Sequence, residues 1–395
     1  MKKSISVLPI LTLSSAALLM SCGGTATSST AGTSSAASTA TSSAVAESSE
    51  AVSSTEEAST AVIAESYITS QLSAGSYGDS SWNALAYQLD LYDTGVYRYT
   101  TTTLMYGYSM ILGTTATVNY GTFVKGDTED GVTAITLNAA AEVLLNSYSK
   151  AGGFSIVVTT PNQEYPVELP AKTQGEKNMA QSKADVLDQY GAGAKVWVES
   201  DTYRLSFADP ETDEVPAAVT TASGDVSSVI KNISKFQIVN EFDATIKEAV
   251  NEETSEVTKE MTAWTGNVHM ATIYEDNSYD YFKSTIRYGY HMLLATTSVN
   301  TIGTATVGSS EDGYTKVTLG EADEVLLNSF SKAGGFNIQV NTVDQEYPVE
   351  LPAQAQGEQN MAQSKDDVIA AYGQSVNFWL SDDSGTMSVT DPNAE

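Results

Sequence analysis

One long stretch is written twice in this chain. The first copy reads EVLLNSYSKAGGF at Glu142–Phe154, QEYPVELPA at Gln163–Ala171 and GEKNMAQSK at Gly175–Lys183. The second reads EVLLNSFSKAGGF at Glu324–Phe336, QEYPVELPA at Gln345–Ala353 and GEQNMAQSK at Gly357–Lys365. Glu142 matches Glu324, Gln163 matches Gln345 and Gly175 matches Gly357, a constant offset of 182 residues. A fixed offset without insertions is the mark of a tandem duplication, so whatever one copy folds into, the chain holds two of them.

Length and charge narrow the rest. A chain of 395 residues suits two or three domains. Asp and Glu number 49 against 19 Lys and Arg, a net charge of −30. Such a surface repels phosphate backbones, so no nucleic-acid partner is expected. Tyrosines (21) outnumber phenylalanines (9), which suits half-buried β surfaces. Cys22 is the single cysteine, so neither an intrachain disulfide nor a thiolate metal cage can form.

Lys2 and Lys3 precede the apolar run Ile5–Leu19, which ends in Leu19-Met20-Ser21-Cys22. The run is too short to span a bilayer comfortably and fits a secretory signal. Leu-Met-Ser-Cys resembles the lipobox of bacterial lipoproteins. That resemblance implies cleavage after Ser21, lipidation of Cys22, and a chain anchored at the extracytoplasmic face of the cell membrane. Residues 23–65 are almost wholly Ser, Thr, Ala and Gly with a few late glutamates. Without apolar periodicity they read as a disordered tether with an r.m.s. span of roughly 35–40 Å. Its Ser/Thr density also permits O-glycosylation.

From Trp82 onward the pattern is β. Leu89 and Leu91 alternate with polar neighbours, Asp93-Thr94-Gly95 turns the chain, and Tyr97 and Tyr99 alternate on the way back. Ile135 and Leu137 share one face after the turn Glu129-Asp130-Gly131, and Phe154, Ile156 and Val158 share another. Tyr165, Val167 and Leu169 alternate with Pro166, Glu168 and Pro170; two prolines confine this segment to an edge strand or an extended strap. Ser182 three residues before Asp185, and Ser364 before Asp367, predict a capped helix that Gly191 ends in the first copy. The expected fold is all-β: two tandem antiparallel β-barrel or sandwich domains, each with one short helix, after a disordered tether. The expected boundaries are 1–21 for the signal, 22–65 for the lipidated cysteine and tether, 66–210 for copy one, 211–224 for the linker and 225–395 for copy two. Val226–Glu260 stays open between a helix and an extra strand pair.

The order Trp82, Tyr92-Asp93-Thr94-Gly95-Val96-Tyr97, Gly121-Thr122-Phe123, then Thr133–Leu137 is similar to lipocalin-like domains of bacterial lipoproteins. Its counterpart is Trp264–Leu319. The resemblance implies an up-and-down barrel and, taken literally, a small apolar ligand inside each barrel.

No catalytic constellation is visible. His269 aligns with Tyr87 and His291 with Ser109, so neither histidine is repeated, and both read as surface or half-buried residues without partners. No metal-ligand spacing and no cofactor motif appears. Glu129-Asp130 and Glu311-Asp312 fall short of a calcium loop and read as hairpin turns. The repeated Glu164/Glu346, Glu168/Glu350 and Glu176/Glu358 could do glycosidase work as facing carboxylates, but on an extended strand Glu164 and Glu168 lie roughly 13 Å apart, too far for either geometry unless the chain bends. The candidate interaction residues are Gln163, Glu164, Tyr165 and Glu168 with Gln345, Glu346, Tyr347 and Glu350. Trp82, Trp264, Trp197 and Trp379 are candidate aromatic platforms for sugar rings, or core. The expected function is a lipid-anchored, non-catalytic surface protein whose β-domains bind carbohydrate, protein or a small apolar ligand. The alternatives are a carbohydrate-active hydrolase using the repeated carboxylates and a lipocalin-like carrier.

Overall fold

The computed structural model describes residues 61, 63–74, 81–108, 110–149, 154–170, 177–199, 204–250, 253–255, 257–289, 292–331, 336–343, 345–352, 360–382 and 387–394. The Leu-Met-Ser-Cys sequence, Cys22 and the tether up to residue 60 lie outside them. So do Glu176, Glu358 and His291.

The first copy runs β1 (Ile63–Ala74), β2 (Trp82–Tyr92), β3 (Val96–Gly107), β4 (Met110–Glu129), β5 (Val132–Leu137), β6 (Glu142–Ser149), β7 (Phe154–Thr159), β8 (Val167–Leu169), β9 (Asn178–Ala180), α1 (Lys183–Tyr190), β10 (Ala194–Glu199) and β11 (Arg204–Ser206). The second runs β12 (Ile233–Val250), β13 (Val257–Tyr274), β14 (Ser278–Gly289), β15 (Met292–Glu311), β16 (Tyr314–Leu319), β17 (Glu324–Ser331), β18 (Phe336–Asn341), β19 (Val349–Leu351), β20 (Asn360–Ala362), α2 (Lys365–Tyr372), β21 (Val376–Ser381) and β22 (Met387–Ser388). The chain is all-β, with one short helix per copy. Each copy is a nine-stranded antiparallel sheet in the order β1-β2-β3-β4-β5-β10-β11, or β12-β13-β14-β15-β16-β21-β22. β11 comes back beside β1, and β22 beside β12, so each sheet curls into a nearly closed barrel.

The long strand β4 makes this possible. Its C-terminal half pairs with β5 and belongs to the barrel. Its N-terminal half pairs with β6, which carries β7, and this part stays open. The turn from β4 to β5 has Asp130 at φ 49° and Gly131 at φ 81°, the two left-handed residues of a type I′ hairpin. Asp312 and Gly313 repeat it at 49° and 82°.

Alternation then sorts the side chains into three layers. Inside the first barrel lie Tyr67, Leu89, Leu91, Tyr97, Ile135, Leu137, Val196 and Val198. Ile273, Tyr279, Tyr281, Val317, Leu319 and Phe378 fill the second. On the outer face of β6 and β7, Val143, Leu145, Ile156 and Val158 meet Leu169, Ala180 and Val186 from the β8–β9 ribbon and α1. The second copy repeats this cluster. The inner face of each open sheet packs against the other copy. One cluster joins Trp82, Leu104, Val118 and Leu144 of the first copy to Trp264, Met270, Phe282 and Ile286 of the second. Thr60–Glu395 is accordingly one compact unit.

The contact has two-fold pseudo-symmetry. Trp82 stacks on its own counterpart Trp264, ring centroids 4.0 Å apart and 5° from parallel. Tyr106 lies 4.9 Å beyond Trp82 and its counterpart Tyr288 lies 5.3 Å beyond Trp264, giving a symmetric stack of four rings. Arg98 meets its counterpart Asp280 in the same way. At the flanks β7 lies by β12, and Gln339 of β18 donates to the Ser66 carbonyl of β1.

Two features differ from the sequence reading, and another resolves what it left open. β1 begins at Ile63, within a segment expected to be tether, because Tyr67 supplies the barrel and Ile68 the inter-copy core. Of the two alternatives left open for Val226–Glu260, the strand pair forms: Ile233–Val250 is β12 and pairs with β13, with Phe236 and Ile238 turned into the inter-copy core. The expected edge strap is a strand only over Val167–Leu169. It pairs with β9 in a separate two-stranded ribbon instead of extending the main sheet. The capped helices form as expected. Ser182 and Ser364 cap them, with Asp185 and Asp367 reaching back to close both capping boxes.

Candidate functional site

The twice-written stretch builds the same outer face in both copies. Glu142 opens β6, and its carboxylate accepts from Thr160 Oγ1 at 2.7 Å and from the Lys183 ammonium at the start of α1. Thr160 Oγ1 in turn accepts from the Val143 amide at 2.8 Å. Glu324, Thr342 and Lys365 repeat the lock. It ties the helix and its ribbon to the sheet beneath.

The candidate interaction residues separate into two kinds. Gln163 and Gln345 are structural. Gln163 accepts from the Thr159 amide at 3.4 Å and donates to the Glu164 carbonyl at 2.8 Å; Gln345 bonds the Asn341 amide and the Glu346 carbonyl in the same way. Tyr165 and Tyr347 are half-buried over the clusters beneath. Burial, reinforced by the Glu142 and Asp185 carboxylates, pushes the Tyr165 phenol above its ordinary pKa; Glu324 and Asp367 act likewise on Tyr347. Glu164, Glu168, Glu346 and Glu350 are exposed. Glu168 lies opposite Met179 in the ribbon and Glu350 opposite Met361. Both methionines are 42 % exposed. Sequence reasoning missed them, although NMAQSK is written in both copies.

The tryptophans are not four equal platforms. Trp82 and Trp264 are buried in their stack, so neither offers a ring face to a sugar. Their place at the centre of the inter-copy core leaves no room for a ligand between them. Trp197 faces outward from the first barrel but lies under Pro216 and Glu214 of the connecting segment, around a cavity of about 120 Å³. Lys195 sits over its ring at 5.1 Å. Trp379 is half-buried on the second barrel with Lys316 at 5.7 Å. It is the candidate platform with the most accessible ring.

His269 also differs from its reading as a surface or half-buried residue without partners. It is 3 % exposed, with Nδ1 2.7 Å from Tyr281 Oη and Nε2 3.2 Å from Glu241 Oε2. Burial, with the Lys283 ammonium adding to it, pushes its pKa down to about 4 against the pull of Glu241. The ring is therefore neutral at pH 7, accepting from Tyr281 and donating to Glu241. The group links strands β12, β13 and β14 and has no counterpart in the first copy, where Tyr87 stacks on Tyr99.

A cleft of about 340 Å³ lies where β7 meets β12, lined by Val157, Phe236, Lys235, Gln237, Leu380 and Asp382 among others. Neither cavity is lined by Glu164 or Glu168. Among the described residues no three His, Cys, Asp or Glu side chains gather where they could hold a metal ion. Among them, too, no helix is long and apolar enough to cross a membrane. Comparison with models of protein families, with curated proteins and with solved structures returns no match.

Proposed function

We propose that this chain is a lipid-anchored, extracytoplasmic surface protein without catalytic activity, whose duplicated β-ribbons are binding faces for another surface molecule. The observation that carries the reading is the exposed set Glu164, Glu168 and Met179, matched by Glu346, Glu350 and Met361. The locks at Glu142 and Gln163 hold the helix and the strap to the sheet, whereas the side chains of these six stand exposed on the ribbons. Both ribbons ride on rigid sheets, which favours a defined binding geometry. They sit on the outer faces of opposite layers, so each takes its own partner molecule and the chain bridges two. The anchor rests on the resemblance of Leu19–Cys22 to a lipobox.

The hydrolase alternative has less support. Glu164 and Glu168 stand exposed to solvent and line neither cavity, so among the described residues no cleft beside them would hold a sugar between two carboxylates. The carrier alternative needs an empty barrel, and tyrosine, leucine and phenylalanine side chains fill both interiors.

The test is a photo-crosslinking residue placed at Glu168 or Glu350 in the full-length protein in its own cells, with Asn377 on the second barrel as control. Both ribbon positions are expected to give one adduct of the same mass, absent from the control and lost when Cys22→Ser releases the protein. Equal labelling at all three positions would refute the binding faces. Turnover of a glycan panel that Glu168→Gln with Glu350→Gln abolishes would refute the non-catalytic reading.

A further inference from the structure

The inner faces of the two copies are equivalent in position but not in chemistry. Arg98 and Asp280 occupy the same place in their repeats and face each other across the pseudo-dyad. Arg98 Nη2 donates to Asp280 Oδ1 at 3.0 Å, and Nη1 pairs with Oδ2, so the fork is bidentate. Its Nε lies 3.2 Å from Asp90 Oδ2 in the first copy. Asp90 also accepts from Ser66 Oγ at 2.7 Å and from Gln88 Nε2 at 3.0 Å. Gln339 of the second copy closes this chain on the Ser66 carbonyl. All of it is buried or nearly so.

On the other side of the dyad the same positions are apolar or lack charge. Asp90 pairs with Ser66 in register as Thr272 pairs with Phe236, so Phe236 stands where Ser66 does. Gln88 becomes Met270, and Gln339 becomes Val157. Small Ser66 therefore meets long Gln339, and large Phe236 meets short Val157. At each flank one partner is large where the other is small.

We infer that the inter-copy face is a recognition surface on which each repeat fits the other repeat and rejects a second copy of itself. Two first repeats would point guanidinium forks at each other and leave Ser66 over Val157 with a void. Two second repeats would bury Asp280 against Asp280 with no cation, and force Phe236 against Gln339. An unpaired buried charge is far costlier than a paired one, and overpacking adds to it. The face thus keeps the repeats of one chain paired, and like repeats of neighbouring chains apart.

The test uses the full chain with a protease site inserted between Gly224 and Asp225, both exposed, and cut after folding. The two pieces are expected to elute together as one 1:1 species; pieces that drift apart overturn the inference. Cut protein carrying an affinity tag on the first repeat is then mixed with untagged cut protein and taken through urea and back. The tag is expected to retrieve second repeat in equal amount and no untagged first repeat. Recovery of untagged first repeat at a level near that of the tagged one overturns the inference, and this arm needs no side-chain variant. Asp280→Arg, which sets two guanidinium groups face to face, is expected to weaken the cut pair by more than about a hundredfold. Asp280→Asn should fall between that and wild type, whereas co-elution of the Asp280→Arg pieces at wild-type dilution would count against the charge complement.

Discussion

His269 makes stability depend on pH in a way that can be worked from its surroundings. Its pKa is about 6.5 in an unfolded chain and is pushed down to about 4 in the fold. The folded state therefore prefers the neutral ring. Its contribution is complete above pH 6.5 and is lost as the pH falls toward 4, because the unfolded chain takes up the proton first. A gap of this size corresponds to about 3 kcal/mol in full, and somewhat less by pH 4.5. Glu241, whose side chain is 41 % exposed, accepts from Nε2 and favours the charged ring, but solvent weakens its hold. Urea unfolding at pH 7.0 and pH 4.5 should be compared for wild type and His269→Gln. Glutamine keeps a donor and an acceptor but cannot titrate, and the carboxylates common to both proteins cancel in the difference. Wild type is expected to lose about 2–3 kcal/mol more than the variant between the two pH values. Equal losses would show that burial does not hold the ring neutral. A larger loss in the variant would show that the Glu241 ion pair dominates.

Further substitutions test the packing. Trp264→Ala should cost about 3–5 kcal/mol by loss of buried area and the cavity it leaves. Trp82→Ala with Trp264→Ala should cost at least about 1 kcal/mol less than the sum of the singles, since the rings stack on each other; additive losses in urea melts would refute a shared stack. Gly121→Ala should destabilise by about 1–3 kcal/mol, because its methyl group would fall 2.6 Å from the Tyr97 ring and the Ser223 hydroxyl. Its match Gly303 meets Tyr279 at 2.9 Å, so Gly303→Ala should behave alike, and an unchanged midpoint in either would show that the tyrosine swings clear.

The sequence made some of this legible because its physics is local. Alternation at Leu89 and Leu91, the Asp130-Gly131 hairpin and the Ser182 and Asp185 cap each declare themselves within a few residues. β1 does not. It follows a low-complexity tract, and it stands in register at Ser66 where the second copy has Phe236, which departs from the 182-residue offset that governs everything else. The Trp82–Trp264 stack was hidden for a different reason. An internal repeat shows that two residues are equivalent, and equivalence does not say that they touch. The partners of His269 lie 12 and 28 residues away on neighbouring strands, outside any motif window. The one local sign was the mismatch itself, histidine in one repeat where the other has Tyr87.

Where the two copies agree and differ follows from what each face packs against. The outer cluster is nearly the same in both: Val143 and Val325, Leu145 and Leu327, Ile156 and Ile338, Leu169 and Leu351, Val186 and Val368. Each side chain there meets only its own repeat, so each copy must satisfy the same jigsaw alone. The inner faces meet each other. A change on one side can be offset by a change on the other, and a pair fused in one chain always has both. Arg98 against Asp280, and Ser66 with Gln339 against Phe236 with Val157, are such compensated differences. A free homodimer could not make them, because any substitution would appear on both sides of the dyad at once. The twice-written stretch therefore supplies most of the outer cluster of each repeat, while its Leu144 turns inward to the other copy. Within it, the apolar residues pack the outer cluster, the Glu142–Lys183 lock ties the helix to the sheet, and Glu164, Glu168 and Met179 are repeated and exposed.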